Sequence, residues 1–188
     1  MPNPRTTAQL RGMAIGAAIL TLFGLAWALA ALLNWPERPT WSIVLSLSIA
    51  GSLIAASIFR ALHPGGLPSA DPSRAAAQGR RAGVWFGIIF TLEGVFIAIA
   101  AIVLANHSLA LWIPVAAALI VGLHFLPLAH LFRVPLYYAT GILSIAAAAA
   151  SFAVQDDRAR ILTVSLAMAS ILWLTSTVVL LQARNSSQ

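Results

Sequence analysis

Cysteine and lysine are absent from this 188-residue chain, and charge of either sign is scarce, at 9% of residues. Without cysteine there is no disulfide, no thiolate nucleophile and no Cys-ligated metal. A soluble domain carries roughly 25% charged residues. Here 60% are hydrophobic and the mean hydropathy is +0.90. A soluble globule of this length has too little interior to hide so much apolar surface. A disordered chain is excluded by the same figures. What remains is an integral membrane protein. All 11 basic residues are arginine, and alanine is abundant, a composition that suggests a GC-rich, bacterial genome. A net charge of +6 and a pI near 11.6 would point to nucleic acid in a soluble domain. These arginines are scattered between apolar runs, so they read as topology signals, and no nucleic-acid partner is expected.

A bilayer core of about 30 Å needs about 20 apolar residues of helix. Six such runs are present, at residues 13–33, 41–59, 84–105, 109–132, 136–154 and 161–181. They are continuous rather than alternating, which excludes a transmembrane β-barrel. The sequence therefore predicts an all-α polytopic bundle of six transmembrane helices, a single domain with a cytoplasmic loop over 61–82. Capping chemistry is expected at Thr6 or Thr7, Thr40, Asp71 with Pro72, Ser108, Pro135, and Asp156 or Asp157. The third helix is expected to start near Pro72 and run through Arg80 and Arg81 into the membrane. The first run exceeds a signal-peptide core in length and reads as a span.

Arginine placement sets the orientation. With the N-terminus inside, Arg5, Arg11, Arg60, Arg74, Arg80, Arg81, Arg133 and Arg184 are cytoplasmic, and Arg38, Arg158 and Arg160 are outside. Both termini are thus expected in the cytoplasm. Trp35, Trp41 and Trp112 fall at the outer interface, and Trp85, Tyr137 and Tyr138 at the inner one, where amphipathic rings are favoured. Trp27 and Trp173 lie deeper and read as packing residues. Small residues let helices approach in lipid. Gly12 and Gly16 form one such pair. Gly79, Gly83, Gly87 and Gly94 form a stripe, as do Ser48, Ser52 and Ala56. Two uses are open for them: packing within the bundle, or the seam of a homodimer.

Glu93 is the one acidic or basic side chain in the middle of a span. A charge there costs about 2.5–3.5 kcal/mol on insertion scales, so the carboxyl must protonate, meet water or find a partner. Its helical neighbours include Phe86, Phe90, Phe96 and Ile97, an aromatic wall against which a cation or a proton could be held. The best partner is His124. Helix rise puts Glu93 about 15 Å and His124 about 12 Å from the cytoplasmic face, on consecutive antiparallel helices. Pro127 cannot donate to the Leu123 carbonyl, which frees a polar group beside His124. Two readings stand side by side: a ligand or proton site, and a hydrogen bond that simply joins two helices.

Other candidates carry less. His130 lies roughly 240° around the helix from His124, so the two form no chelating face. With His63 and His107 elsewhere, no metal site and no cofactor is expected. His130 and Arg133 suit lipid headgroups or an anionic ligand, and Tyr137 reads as a belt residue. The hydroxyls Ser165, Ser170, Thr175, Ser176 and Thr177 read as partners of local carbonyls rather than a pore lining. No phosphate-binding, nucleophile-elbow or zinc-protease fingerprint appears.

The stretch from Arg80 to Gly141, with Glu93-Gly94 and the string Gly122-Leu123-His124-Phe125-Leu126-Pro127-Leu128, resembles a family of small bacterial multi-span membrane proteins. That resemblance implies a bacterial inner-membrane protein and brings no activity with it. The leading expectation is a small carrier or channel-like transporter with a polar site at Glu93 and His124, supported by Phe90, Pro127, His130, Arg133 and Tyr137, acting on a small molecule or ion within the lipid bilayer. The alternative is a non-catalytic membrane module that binds lipid, a hydrophobic small molecule or a partner protein. An intramembrane enzyme ranks last, because one acid and one histidine supply neither a nucleophile nor a metal. For the topology, a reporter fused after Gln188 is expected to be active on the cytoplasmic face, and activity restricted to the outer face would reverse the orientation.

Overall fold

The computed structural model describes residues 6–37, 39–63 and 71–185. Arg5, Arg38, Pro64, Gly65, Gly66 and Pro68 lie outside them, as do the side chains of Arg74 and Arg184. Among the described residues every regular element is helical: α1 (Thr7–Asn34), α2 (Thr40–Leu62), α3 (Pro72–Asn106), α4 (Ile113–Phe132), α5 (Leu136–Ser151) and α6 (Asp157–Asn185). Five are long and apolar enough to cross a membrane. The apolar bundle is compatible with an integral membrane protein.

Local chemistry accounts for several ends. The Thr6 side chain accepts from the Gln9 N–H at 3.4 Å while Thr6 N–H donates to Gln9 Oε1 at 3.0 Å. This reciprocal box satisfies two of the donors that a helix start leaves free. Pro72 opens α3, where its missing N–H is not needed, and the preceding Asp71 accepts from Ser73 Oγ at 2.7 Å. At α6, Asp156 Oδ2 accepts the Ala159 N–H at 2.7 Å.

Three expected boundaries are corrected. Thr40 does not cap α2: it is the first helical residue, and Pro39 stands at the cap without a side-chain bond. Ser108 does not cap α4 either. It adopts a left-handed φ of 59°, and a short 3₁₀ turn over Ala110–Trp112 leads into the helix. The fifth span ends early. α5 stops at Ser151, and the N–H groups of Phe152, Ala153 and Val154 donate to carbonyls three residues back. The 16 helical residues cover about 24 Å, short of the ~30 Å core, and the steeper i→i−3 turns extend them.

Neighbouring helices run antiparallel. Phe86 meets Phe132, and Glu93 meets His124, across α3 and α4. Thr140 meets Thr175 across α5 and α6, and Thr21 meets Ser176 across α1 and α6. The α1–α6 interface is the most extensive, so the first and last helices form the centre. The packed core is drawn from α1, α4, α5 and α6, around Met168, Leu172, Val164 and Phe125. α2 lies on α1 and touches α6, and α3 packs on α4. Most of the α3 surface faces outward, including Val84, Ile88, Leu92, Val95, Phe96 and Ile99. Outward apolar surface on this scale suits hydrocarbon rather than water.

The close backbone approaches are not at the glycine stripes. A Cβ on Gly79, Gly83, Gly87 or Gly94 would meet nothing within 4 Å. A Cβ on Gly24 would lie 2.6 Å from the Trp173 ring, and one on Gly141 would lie 2.7 Å from the Gly122 carbonyl oxygen. Backbone cannot yield as a flexible side chain can, so Gly141→Ala is expected to cost about 1–3 kcal/mol. Gly83→Ala, in open space, is expected to be neutral or to stabilise by up to about 1 kcal/mol through helix propensity. Unfolding of both variants in mixed micelles by a denaturing detergent measures the contrast.

Candidate functional site

α3 and α4 bring Glu93 and His124 together. The two helices are joined through residues 107–112, and their antiparallel register places the lone mid-span acid level with the lone mid-span imidazole. His124 Nδ1 lies 2.6 Å from Glu93 Oε2, with the side chains 12% and 6% exposed. That separation is within ion-pair range, although the atoms are not aligned as a hydrogen bond. His124 Nε2 is also buried and has no hydrogen-bond partner. In a low-dielectric interior such groups are stabilised chiefly by each other. The site is therefore a close acid–imidazole contact with a second imidazole nitrogen still able to donate or accept.

A run of aromatic rings lies on the termini side of the pair, with Phe90 itself partly exposed. Phe90 lies one turn from Glu93 and meets Phe23 of α1 edge-on at 5.8 Å between centroids. Phe86 stacks on Phe90 at 5.9 Å and approaches Phe132 at 6.1 Å. These rings run from α1 through α3 to α4. An ionised carboxylate beside ring faces can hold a cation by charge and quadrupole together.

The remaining expected site residues are dispersed. Pro127 lies inside α4 and is exposed. His130 is exposed in the last turn of α4. Arg133 is exposed and adopts a left-handed φ of 54° as the helix ends, its N–H donating to the Ala129 carbonyl. Neither His130 nor Arg133 is paired with Glu93. Tyr137 is not a belt residue. It is 9% exposed, tilts against Phe125 at 5.8 Å, and its hydroxyl faces Gly16 of α1. Burial against α1 and α4 makes it part of the core, while the exposed Tyr138 fits an interface. Among the described residues no group of three His, Asp or Glu could hold a metal ion.

Most hydroxyls in the α1–α5–α6 interior satisfy carbonyls and one another, but Ser144 and Ser165, both wholly buried, have no hydrogen-bond partner among the described residues, so Ser165 does not serve a local carbonyl as expected. Thr21 Oγ1 and Ser176 Oγ lie 2.9 Å apart, and both reach the Ala17 carbonyl. Thr175 donates to the Ile171 carbonyl and pairs with Thr140. They tie helices together rather than line a pore.

One residue escaped the sequence reading. Arg160, taken for a topology marker, is 4% exposed. It pairs with Asp157, donates to the Val154 carbonyl at 3.3 Å, and lies over the Trp112 ring at 3.8 Å from the centroid. The i,i+3 spacing from Asp157 was the available signal. The ring beneath it came from the far side of two helices.

No family model matches this chain, and no curated protein or solved structure matches it either. The residues themselves carry the functional argument. Their pairing is measurable by a double-mutant cycle with Glu93→Leu and His124→Leu in detergent unfolding. The expected coupling is about 1 kcal/mol, in the range of polar contacts between membrane helices. Additive effects would mean that the two side chains do not interact.

Proposed function

We propose that the protein is a small carrier of the bacterial inner membrane, with both termini cytoplasmic, that exchanges a proton for a cation at the Glu93–His124 pair. The observation behind this reading is the pair itself: a buried acid and imidazole, 2.6 Å apart, at matching depth in a bundle whose other mid-helix polar groups are hydroxyls. An ionisable residue at such depth is costly, so its presence calls for a use. Protonated, Glu93 is neutral and suits the apolar wall. Once the proton has left the site by way of the neutral His124 imidazole, the ionised carboxylate offers a net negative charge beside Phe86 and Phe90 for the incoming cation.

α3 suits a moving part. It is held along one face by α4 and by Phe90 on Phe23, and the rest of its surface is outward. A helix held on one side can rock at less cost than one packed all round. The alternative, a module that binds lipid or another hydrophobic partner, draws on a separate feature beside Trp112. For the carrier, protein in liposomes with an imposed pH gradient is expected to pass protons when a permeant cation is available on the opposite side. Glu93→Gln keeps the shape and removes the titrating group, and it is expected to abolish this flux. Flux equal to that of the parent protein would overturn the reading.

A further inference from the structure

The surroundings of Glu93 narrow the chemistry of the cation. Inorganic cations are held by sets of oxygens that replace their water. The level of Glu93 supplies no such set. The pair contributes one carboxylate and one imidazole, and among the described residues no group of three His, Asp or Glu could share an ion. The hydroxyls that pair between helices, Thr21 with Ser176 and Thr140 with Thr175, belong to α1, α5 and α6 rather than to α3 or α4. A groove of about 530 Å³ beside Trp112, lined also by Leu104, Leu109 and Phe152, contains neither Glu93 nor His124 and offers a cation no counter-charge.

What does surround the carboxyl is aromatic. Phe90, one turn from Glu93, stacks with Phe86 at 5.9 Å and meets Phe23 of α1 edge-on at 5.8 Å. Phe86 continues to Phe132, the last residue of α4, at 6.1 Å. Rings from three helices thus form a track between the acid and the end of α4. Phe23, Phe90 and Phe132 each keep part of their surface exposed, so the track runs along the outside of the bundle, within reach of a molecule dissolved in the bilayer. Ring faces attract a desolvated cation, and quaternary ammonium groups are recognised in this way. A cation wrapped in hydrocarbon also loses little hydration on leaving water, whereas a bare ion loses much. Departure of one proton leaves one negative charge, which matches a monovalent ion. Resting on the exchange at Glu93, we propose that the cation is a lipophilic organic one, of quaternary ammonium or phosphonium type, which reaches the carboxylate along Phe132, Phe86, Phe90 and Phe23. It takes the place of the carboxyl proton, and no other covalent bond changes. The titratable group facing Glu93 from α4 is His124. His130 and Arg133 are exposed at the end of that helix, and Arg80 and Arg81 are exposed ahead of the α3 span. From α1 the charged residue is Arg11, which donates to the Ala61 carbonyl.

Equilibrium dialysis of tetraphenylphosphonium against the purified full chain in a neutral detergent tests this, with proton release read by a pH dye. Neutral triphenylphosphine oxide, sodium and potassium are the competing probes. The parent protein is expected to bind tetraphenylphosphonium with release of a proton, more weakly as the pH falls, and none of the three competitors is expected to displace it. Phe90→Leu keeps an apolar side chain and removes the ring, and it is expected to weaken binding roughly fivefold. Glu93→Gln is expected to abolish proton release and to weaken binding roughly tenfold or more. Circular dichroism checks the helical content of each variant. If Phe90→Leu does not fold, Phe23→Leu replaces it, and if Glu93→Gln does not fold, the pH profile of the parent protein carries that arm. Proton release driven by sodium or potassium but not by tetraphenylphosphonium would overturn the organic class and leave the exchange at Glu93 standing. Proton release with no cation at all would overturn the exchange itself. Tetraphenylphosphonium binding that releases no proton, that is flat with pH, that is unchanged in Phe90→Leu, or that the neutral compound displaces would reduce the rings to a hydrophobic surface and overturn the proposal.

Discussion

The pairing of α1 with α6 is the contact on which the rest of the bundle depends. In hydrocarbon, apolar side chains gain little by meeting one another, so helices associate through close packing and polar ties. Both are present here. Trp173 lies against Gly24 and donates its indole N–H to the Thr21 carbonyl at 3.2 Å. One turn toward the chain termini, Thr21 and Ser176 share the Ala17 carbonyl. The small side of α1 admits the large side of α6, and the hydroxyls fix rotation and depth. With the two ends of the chain joined, α5 and α4 pack in turn, and the Gly122–Gly141 approach brings their backbones together. α3 and α2 are then added at the flanks.

That hierarchy explains where polar groups were tolerated. The central interface uses hydroxyls, which can be satisfied by the carbonyl one turn back on the same helix. They add contact between helices without introducing a charge. The carboxyl is placed elsewhere, on α3, the helix with the least buried surface in its span. Its partner is on the one helix against which α3 packs extensively. A buried Glu–His tie in the centre would be hard to disturb. The same tie at a flank joins a helix whose other faces already meet the surroundings.

Much of this was legible in the sequence, for identifiable reasons. Helix rise and a short connection were enough to set Glu93 level with His124, because antiparallel register needs no knowledge of side-chain packing. Thr6, Pro72 and Asp156 act locally, so their roles could be read from a few neighbours. Contacts that depend on the partner were not legible. Gly24 carries no repeat, and its importance comes from Trp173 on the last helix. The repeats at Gly79, Gly83 and Gly87 are more conspicuous, and a Cβ on any of them would meet nothing within 4 Å among the described residues. Tyr137 resembled an interface residue because its position at a helix end was visible and the covering α1 was not. Arg160 was misread for the same reason: its charge was visible, and the Trp112 ring beneath it was not.

The two buried charged clusters stand in contrast, and the contrast bears on their roles. Arg160 has an acid, a carbonyl and an aromatic face around it, near the end of a helix, where a long side chain can keep its charge at modest cost. Glu93 has one imidazole and a wall of phenylalanine at mid-span. Its partner is an imidazole, not a permanent cation. A proton passing from the carboxyl to the imidazole turns a neutral pair into an ion pair without changing the net charge of the site, whereas removal of that proton leaves a lone carboxylate. The first change costs less in hydrocarbon than the second, which is why the proposed exchange would link departure of the proton to arrival of a cation. An arginine in place of His124 would hold Glu93 ionised and lock the helices. The imidazole leaves the charge of the pair adjustable, which the proposed exchange requires and a permanent brace would not.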